Sequence, residues 1–234
     1  MHLSKKQIKE ARIIDSAEKV FRLSGFKNAK MDDIAKESGI TKVTLYAYYQ
    51  SKENLYLAIT YRAFQLLMDS LYETITKNKN NSGLDSVLAY MNSFMQFCED
   101  NFLYSEAILD YFALIRSSSQ GAEKARLTDA VQESIYFRKI QDLQNLPFKL
   151  SSQEIHRGQQ DGSILNHTDP MFLSLHAWTQ IVGYIKIINA TGDDTIIFDI
   201  DLRDLKEYTL EIAKTFLQHD YKIATKYRIE FTEY

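Results

Sequence analysis

Thr41-Lys42-Val43-Thr44-Leu45-Tyr46-Ala47-Tyr48-Tyr49-Gln50-Ser51-Lys52, with Gly39 just ahead of it, decides how this chain folds. Upstream, Asp32-Asp33-Ile34-Ala35-Lys36-Glu37-Ser38 reads as a short helix. Gly39 supplies a left-handed turn and Thr41 caps a second short helix, so the two make a helix-turn-helix. In the second helix Leu45 and Tyr49, four apart, face a small core. Lys42, Thr44, Tyr46 and Tyr48 carry hydroxyls and charge outward, and that face suits DNA.

Working outward, residues 4–24 read as a first helix, with Ile13, Ala17, Val20 and Phe21 at helical spacing and Lys5, Lys6, Lys9, Arg12 and Lys19 on other faces. Gly25 ends it. Charge follows the same division. Residues 1–60 hold 11 Lys and Arg against 7 Asp and Glu, a net of +4, whereas the rest hold 17 against 24, a net of −7. A basic quarter on an acidic body is the pattern of a DNA-reading domain attached to one that does not touch DNA.

Ile34-Ala35, Ser38-Gly39-Ile40-Thr41-Lys42, Thr44-Leu45-Tyr46, Tyr48-Tyr49 and Ser51-Lys52-Glu53-Asn54-Leu55 together resemble the N-terminal domain of TetR-type transcriptional regulators. The resemblance runs without a gap from Ile13-Ile14 to Leu55. Ala29-Lys30 stands where the family usually opens the second helix with Thr or Ser, Val43 where Gly or Ala is common, and Ala47 where a polar side chain is common. The resemblance implies an all-α chain: a three-helix DNA-binding head over residues 1–50, a helical ligand-binding and dimerisation body over 51–220, and a tail over 221–234. It also implies a homodimer on palindromic double-stranded DNA and a small-molecule effector. Position in the motif and chemistry assign Lys42, Tyr46, Tyr48 and Lys52 to phosphates, with Lys30 beside them. Val43, Thr44 and Ala47 approach base edges, and Thr41 serves either role.

In the body, Ser51 is placed to cap a long helix reaching Lys77, with Leu55, Ile59, Leu66, Leu67, Leu71 and Ile75 on its apolar side. Asn78 to Gly83 is a loop by composition. Helices follow over 84–100 and 104–116, the second leading into a Ser-rich loop at 117–121. Another covers 122–146, stopped by Pro147, and a short one opens at Ser151-Ser152-Gln153-Glu154 and ends near Gly158. Gly158 to Ile164, leading to Asp169-Pro170, resembles the turn before the penultimate helix of TetR-type regulators. Asp169 as cap and Pro170 in the first turn start a helix to about Asn189. It is apolar around much of its circumference, so it needs a partner beyond its own core; Ile181 and Ile185, with Leu210 and Leu217 of the last helix, are the expected dimer interface. Tyr227 to Phe231 alternates like a strand and is left unassigned.

Phe94, Phe97, Cys98, Tyr111, Phe112 and Trp178 read either as hydrophobic core or as the lining of a pocket for a mostly apolar ligand. Family resemblance implies a cavity in this region. An enzyme is not expected. Among 234 residues there is no His-Glu-x-x-His, Cys-x-x-Cys, glycine-rich phosphate loop or Gly-x-Ser-x-Gly, and the five His are scattered, so no metal and no cofactor are expected. The single Cys98 and the polar, Lys-rich start lead to the expectation of a reducing cytoplasm. The most apolar stretch, Phe172 to Ile188, is interrupted by Ser174, His176, Gln180 and Lys186, so no membrane span is expected. A DNA-binding protein of the same fold acting in chromosome organisation or with a corepressor, without an inducer pocket, remains the alternative.

Overall fold

The computed structural model describes residues 4–119, 134–192 and 194–220. Ser4 closes a capping box with Gln7 and starts α1, Lys5–Asn28, which kinks at Gly25 where φ is +68°. The first helix therefore resumes for one turn past the glycine expected to end it. Next come α2, Met31–Glu37, and α3, Lys42–Tyr48. Ile13, Ala17 and Phe21 of α1, Ile34 of α2 and Leu45 of α3 are buried together with Leu55, the small core that fixes the angle between the three helices.

Ser51 caps α4, Lys52–Lys77, by accepting from the Asn54 amide, as its position implies. The helix is the spine of the body: α5, Gly83–Asp100, α6, Phe102–Ser119, and α7, Ile135–Leu143, all pack along it. Phe64, Leu67 and Leu71 are fully buried there, each contributing roughly 1.5–3 kcal/mol of apolar burial.

Three boundaries differ from expectation. Helix α6 continues through Ser119 rather than ending before a loop at Ser117. The helix expected over 122–146 breaks at Gln144-Asn145. Its first part, 122–133, lies outside the described residues, as does the 221–234 tail with its strand-like segment. Pro147 stops nothing; it sits in the first turn of α8, Leu146–Asp161, where an amide would have had no helical acceptor. The short helix expected at Ser151 is thus the middle of a longer one, which ends at Gly162 with φ +77°.

Helix α9, Pro170–Thr191, opens on Asp169, whose side chain accepts from the Phe172 amide. A two-residue hairpin follows, Ile196–Ile197 against Ile200–Asp201, turned by Phe198 and Asp199 at φ of 50° and 62°. It lacks the Asn-Gly or Asp-Gly signal of such turns, and the sequence reading missed it. Helix α10, Leu202–Leu217, returns alongside α9. Where α5 begins, Gly83 crosses Gly158 of α8 so closely that a Cβ on Gly83 would lie 2.2 Å from the Gly158 nitrogen. The Gly83 amide there donates to Asp161 at 2.8 Å.

The interface expected on α9 and α10 needs correction. Ile181, Ile185 and Leu217 are buried within their own protomer and Leu210 is half-buried against the same core. Helix α9 does carry a surplus apolar face, but it is the other one: Phe172, Leu175 and Ile187, with Tyr208 and Ile212 on α10, are exposed. A Cβ on Gly183 would meet nothing within 4 Å. Periodicity placed both stripes and could not say which faced inward, because α9 is apolar nearly all round. By length and composition alone α9 meets the measure of a membrane span, a measure that the core helix of a protein without a span also meets. Its packing against α5, α8 and α10 accounts for one side of it.

Candidate nucleic-acid interface

Gly39 turns the chain between α2 and α3 at φ +64°. The turn is held by the Ile40 amide donating to the Ala35 carbonyl at 3.0 Å and by the buried Ser38 hydroxyl donating to the Ile34 carbonyl at 2.7 Å. Thr41 caps α3 by accepting from the Thr44 amide at 3.2 Å, and its hydroxyl lies 2.9 Å from that of Thr44. This cap ties up both hydroxyls locally, so Thr44 is half-buried rather than fully presented. Lys30 precedes α2 in extended conformation without a side-chain cap, as the missing hydroxyl implies.

With Leu45 and Tyr49 locked inward, the helix shows Thr41, Lys42, Val43, Tyr46 and Ala47 to solvent, Val43 at 81% exposure. Holding an isolated valine in water is unfavourable, and none of the described residues covers it. Tyr48 is half-buried, with the Lys9 ammonium 5.5 Å from its ring centroid. Lys42 is paired with Asp32 of α2 at 2.7 Å, and the hydrogen bond and charge of that carboxylate push its pKa up. The ammonium is therefore held charged at the mouth of the turn, partly neutralised until another anion competes for it. The pairing was not legible in sequence, because Asp32 and Lys42 meet only through the turn.

Lys52 requires correction as a phosphate ligand. Its ammonium donates to the carbonyls of Phe26, Lys27 and Ala29 at 2.7, 3.2 and 3.1 Å and sits 4.6 Å from the Phe26 ring centroid. Gly25 breaks α1 just before these carbonyls, and a positive charge among them supplies the donors that the helix end lacks. All three N–H groups of Lys52 thus serve the joint between α1 and α4.

Residues 13–59 match the family model described as bacterial regulatory proteins, tetR family, a span that contains the whole turn and the face just described. Residues 13–59 thus form a tetR-type N-terminal domain. The chain is 28% identical over 92 residues to the biofilm operon icaADBC HTH-type negative transcriptional regulator IcaR of Staphylococcus aureus, covering 39% of this chain and 48% of that protein. The chain thus spans about half the length of the curated relatives it matches. Its fold is that of FadR from Bacillus subtilis, solved with stearoyl-CoA (TM-score 0.64, 16% identity, 88% of this chain and 98% of that one). It is also that of the ketosteroid regulator KstR2 from Mycobacterium tuberculosis (TM-score 0.63, 14% identity, 94% and 98%).

Among the described residues, aromatics expected to line a pocket pack on one another. Trp178 stacks edge-on against Phe94, Phe112 and Phe148 at centroid distances of 5.3, 5.4 and 5.5 Å. Tyr111 packs on Phe64 and Phe112. The void beside Phe94 and Trp178 is about 10 Å³, room for one water at most. Phe97 is elsewhere, stacked on Tyr104. Cys98 lines a different space, a cleft of about 620 Å³ at the DNA-proximal end, bounded by the ends of α5 and α9, the starts of α6 and α10, and Arg22 of α1. Burial pushes the Cys98 thiol up to about 12, which keeps it protonated and unreactive. Of the aromatics grouped from the sequence, Phe94, Tyr111, Phe112 and Trp178 meet and Phe97 does not join them. Sequence reasoning missed the cleft because its walls come from four separated segments. Among the described residues no cluster of three or more potential metal ligands occurs.

Proposed function

We propose that this chain is a ligand-responsive transcriptional repressor that binds a palindromic operator as a homodimer and is released by a small, mostly apolar molecule in the cytoplasm. The observation that carries the DNA reading is the α3 surface: an exposed valine and alanine at the centre, flanked by Lys42 and Tyr46, on a helix whose inward face is fully buried. Val43 and Ala47 have no hydrogen-bonding atoms, so they read shape and thymine methyl groups and favour A·T pairs. Repression is supported by the negative regulator IcaR among the relatives. Ligand response is supported by neighbours of the same fold, FadR holding stearoyl-CoA and KstR2 described as a ketosteroid regulator.

Dimerisation is supported by the uncovered stripe of Phe172, Leu175 and Ile187 on α9 beside Tyr208 and Ile212 on α10. Two such helix pairs would close a four-helix interface, and Gly183 on the same side allows the helices to approach closely. The separating experiment is mapping of bound sites across the genome of the source organism. A few promoter sites with inverted repeats support the regulator. Many dispersed sites without a shared palindrome support chromosome organisation instead.

A further inference from the structure

Helix α3 spans only Lys42–Tyr48, too short to be stable alone, so its place is set by the side chains it sends inward. Leu45 is fully buried in the core of the head. Tyr49, whose amide closes the last turn of α3 on the Leu45 carbonyl at 2.9 Å, meets the body instead. Its ring, in a residue only 3% exposed, is stacked on Tyr136 of α7 with centroids 6.2 Å apart and planes 22° from parallel. Tyr136 in turn packs on Tyr61 of α4 at 6.0 Å, and the Lys139 ammonium lies 5.1 and 5.5 Å from the centroids of Tyr61 and Tyr136. The Tyr136 ring is thus wedged between the end of α3 and the spine of the body. The next residue, Phe137, is buried edge-on against Tyr111 of α6 at 5.9 Å, and Tyr111 meets Phe112, which meets Trp178.

We propose that Tyr136 is a positioning residue for DNA reading: by stacking on Tyr49 it sets, from the body, the tilt at which α3 meets the major groove. The inference rests on the DNA reading above, to which it adds a residue that lies outside the α3 surface. Val43 and Ala47 offer no hydrogen bond that could draw a misplaced helix into register, so readout by these two depends on where α3 is held before DNA arrives. Leu45 fixes the depth of the helix in the head, and Tyr49, four residues on along the same face, fixes its far end. Stacked rings hold one another through their faces, so the contact needs the ring of Tyr136 and not its hydroxyl. Tyr136 and Phe137 are consecutive on one helix, with one ring on α3 and the other in the aromatic cluster of the body. A shift of α7 against that cluster therefore moves the Tyr49 contact too, by a route that does not run along α4.

The test compares Tyr136→Leu, Tyr136→Phe and Tyr61→Leu in the full chain, by hydrogen exchange of the free protein and by titration of the inverted repeat that site mapping recovers, at several salt concentrations. Tyr136→Leu keeps an apolar side chain at a half-buried position. It is expected to speed exchange of the Leu45–Tyr49 amides with α4 unchanged, and to weaken operator binding about three- to tenfold at an unchanged salt slope, the size of one lost aromatic pair. Tyr136→Phe should restore both. Tyr61→Leu removes the other ring on Tyr136 but leaves the stack on Tyr49, so it should lower the denaturation midpoint while operator affinity stays within about twofold. Should the leucine variant lose helix by circular dichroism, Tyr136→Met gives the same readouts. Wild-type operator affinity in Tyr136→Leu, no rescue by Tyr136→Phe, or an equal loss in Tyr61→Leu overturns this proposal and leaves the DNA reading standing. Recovery of no inverted repeat by the wild-type protein overturns the DNA reading and this proposal with it.

Discussion

Lys42 and Lys52 are both lysines of the motif, yet their surroundings give them opposite tasks. Lys42 projects from the first turn of α3 and pairs with Asp32 of α2. Lys42→Ala is expected to weaken binding to every DNA sequence alike and lower the salt-dependence slope by roughly one, read from binding isotherms at several salt concentrations. Removing the competitor should do the reverse: Asp32→Asn is expected to raise affinity for all sequences by a few-fold, since exposed pairs hold only about 0.2–1 kcal/mol. A change in the preferred base with an unchanged slope would show that Lys42 reads bases instead. Lys52 has three carbonyls around its ammonium, and Lys52→Met should cost about 1.5–3 kcal/mol of stability in urea denaturation while leaving the salt slope nearly intact.

At the scale of the element, two features make firm demands. Gly83 and Gly158 let α5 start against α8 with backbones touching, and a methyl on Gly83 would fall inside the contact distance of the Gly158 nitrogen and Cα at 2.2 and 2.3 Å. Gly83→Ala is therefore expected to destabilise the body by at least about 1–3 kcal/mol, seen as a lower denaturation midpoint with an unchanged slope. Helix α9 has two apolar stripes that substitution can tell apart. Ile187→Glu should leave the protomer folded, by circular dichroism, while shifting sedimentation toward monomer and weakening operator binding. Ile185→Glu should unfold the protomer itself, because a carboxylate there would be buried without a partner. A folded monomer that still bound a full palindrome tightly would defeat the dimer proposal. The helices themselves were well legible: Ser51, Asp169 and Thr41 cap where their side chains and spacing say they should. Pro147 was misread because a proline marks both the end of one helix and the first turn of the next, and only the break at Gln144-Asn145 settles which.

Across the whole molecule, head and body are joined through charge as well as through α4. The Arg62 guanidinium of α4 donates to Asp15 at 2.6 Å and Glu18 at 3.0 Å on α1, and the Tyr104 hydroxyl of α6 donates to Glu18 at 2.9 Å. Arg62→Met should loosen the head, giving faster hydrogen exchange in α1 than in α4 and a smaller ligand effect on operator affinity. Linkage sets the size of what is lost. If ligand weakens operator binding about 100-fold, a coupling of roughly 2.7 kcal/mol, operator must weaken ligand binding by the same factor, which calorimetry with free and operator-bound protein measures.

What the sequence determined by itself is what local chemistry dictates. Gly39 turns, Thr41 and Ser51 cap, Leu45 and Tyr49 bury, and Val43 is left outside, all from contacts within a few residues of one another. The aromatic neighbourhood of Phe94, Phe112 and Trp178 was legible too, but not how closely these rings pack on one another, since that depends on elements far apart in the chain. Tertiary structure alone decided that Lys52 serves carbonyls, that Ile185 faces inward and Ile187 outward, and that Arg22, Cys98, Asn189 and Asp194 surround one cleft. Burial and pairing depend on what lies opposite, and for these residues what lies opposite is tens of positions away in the chain.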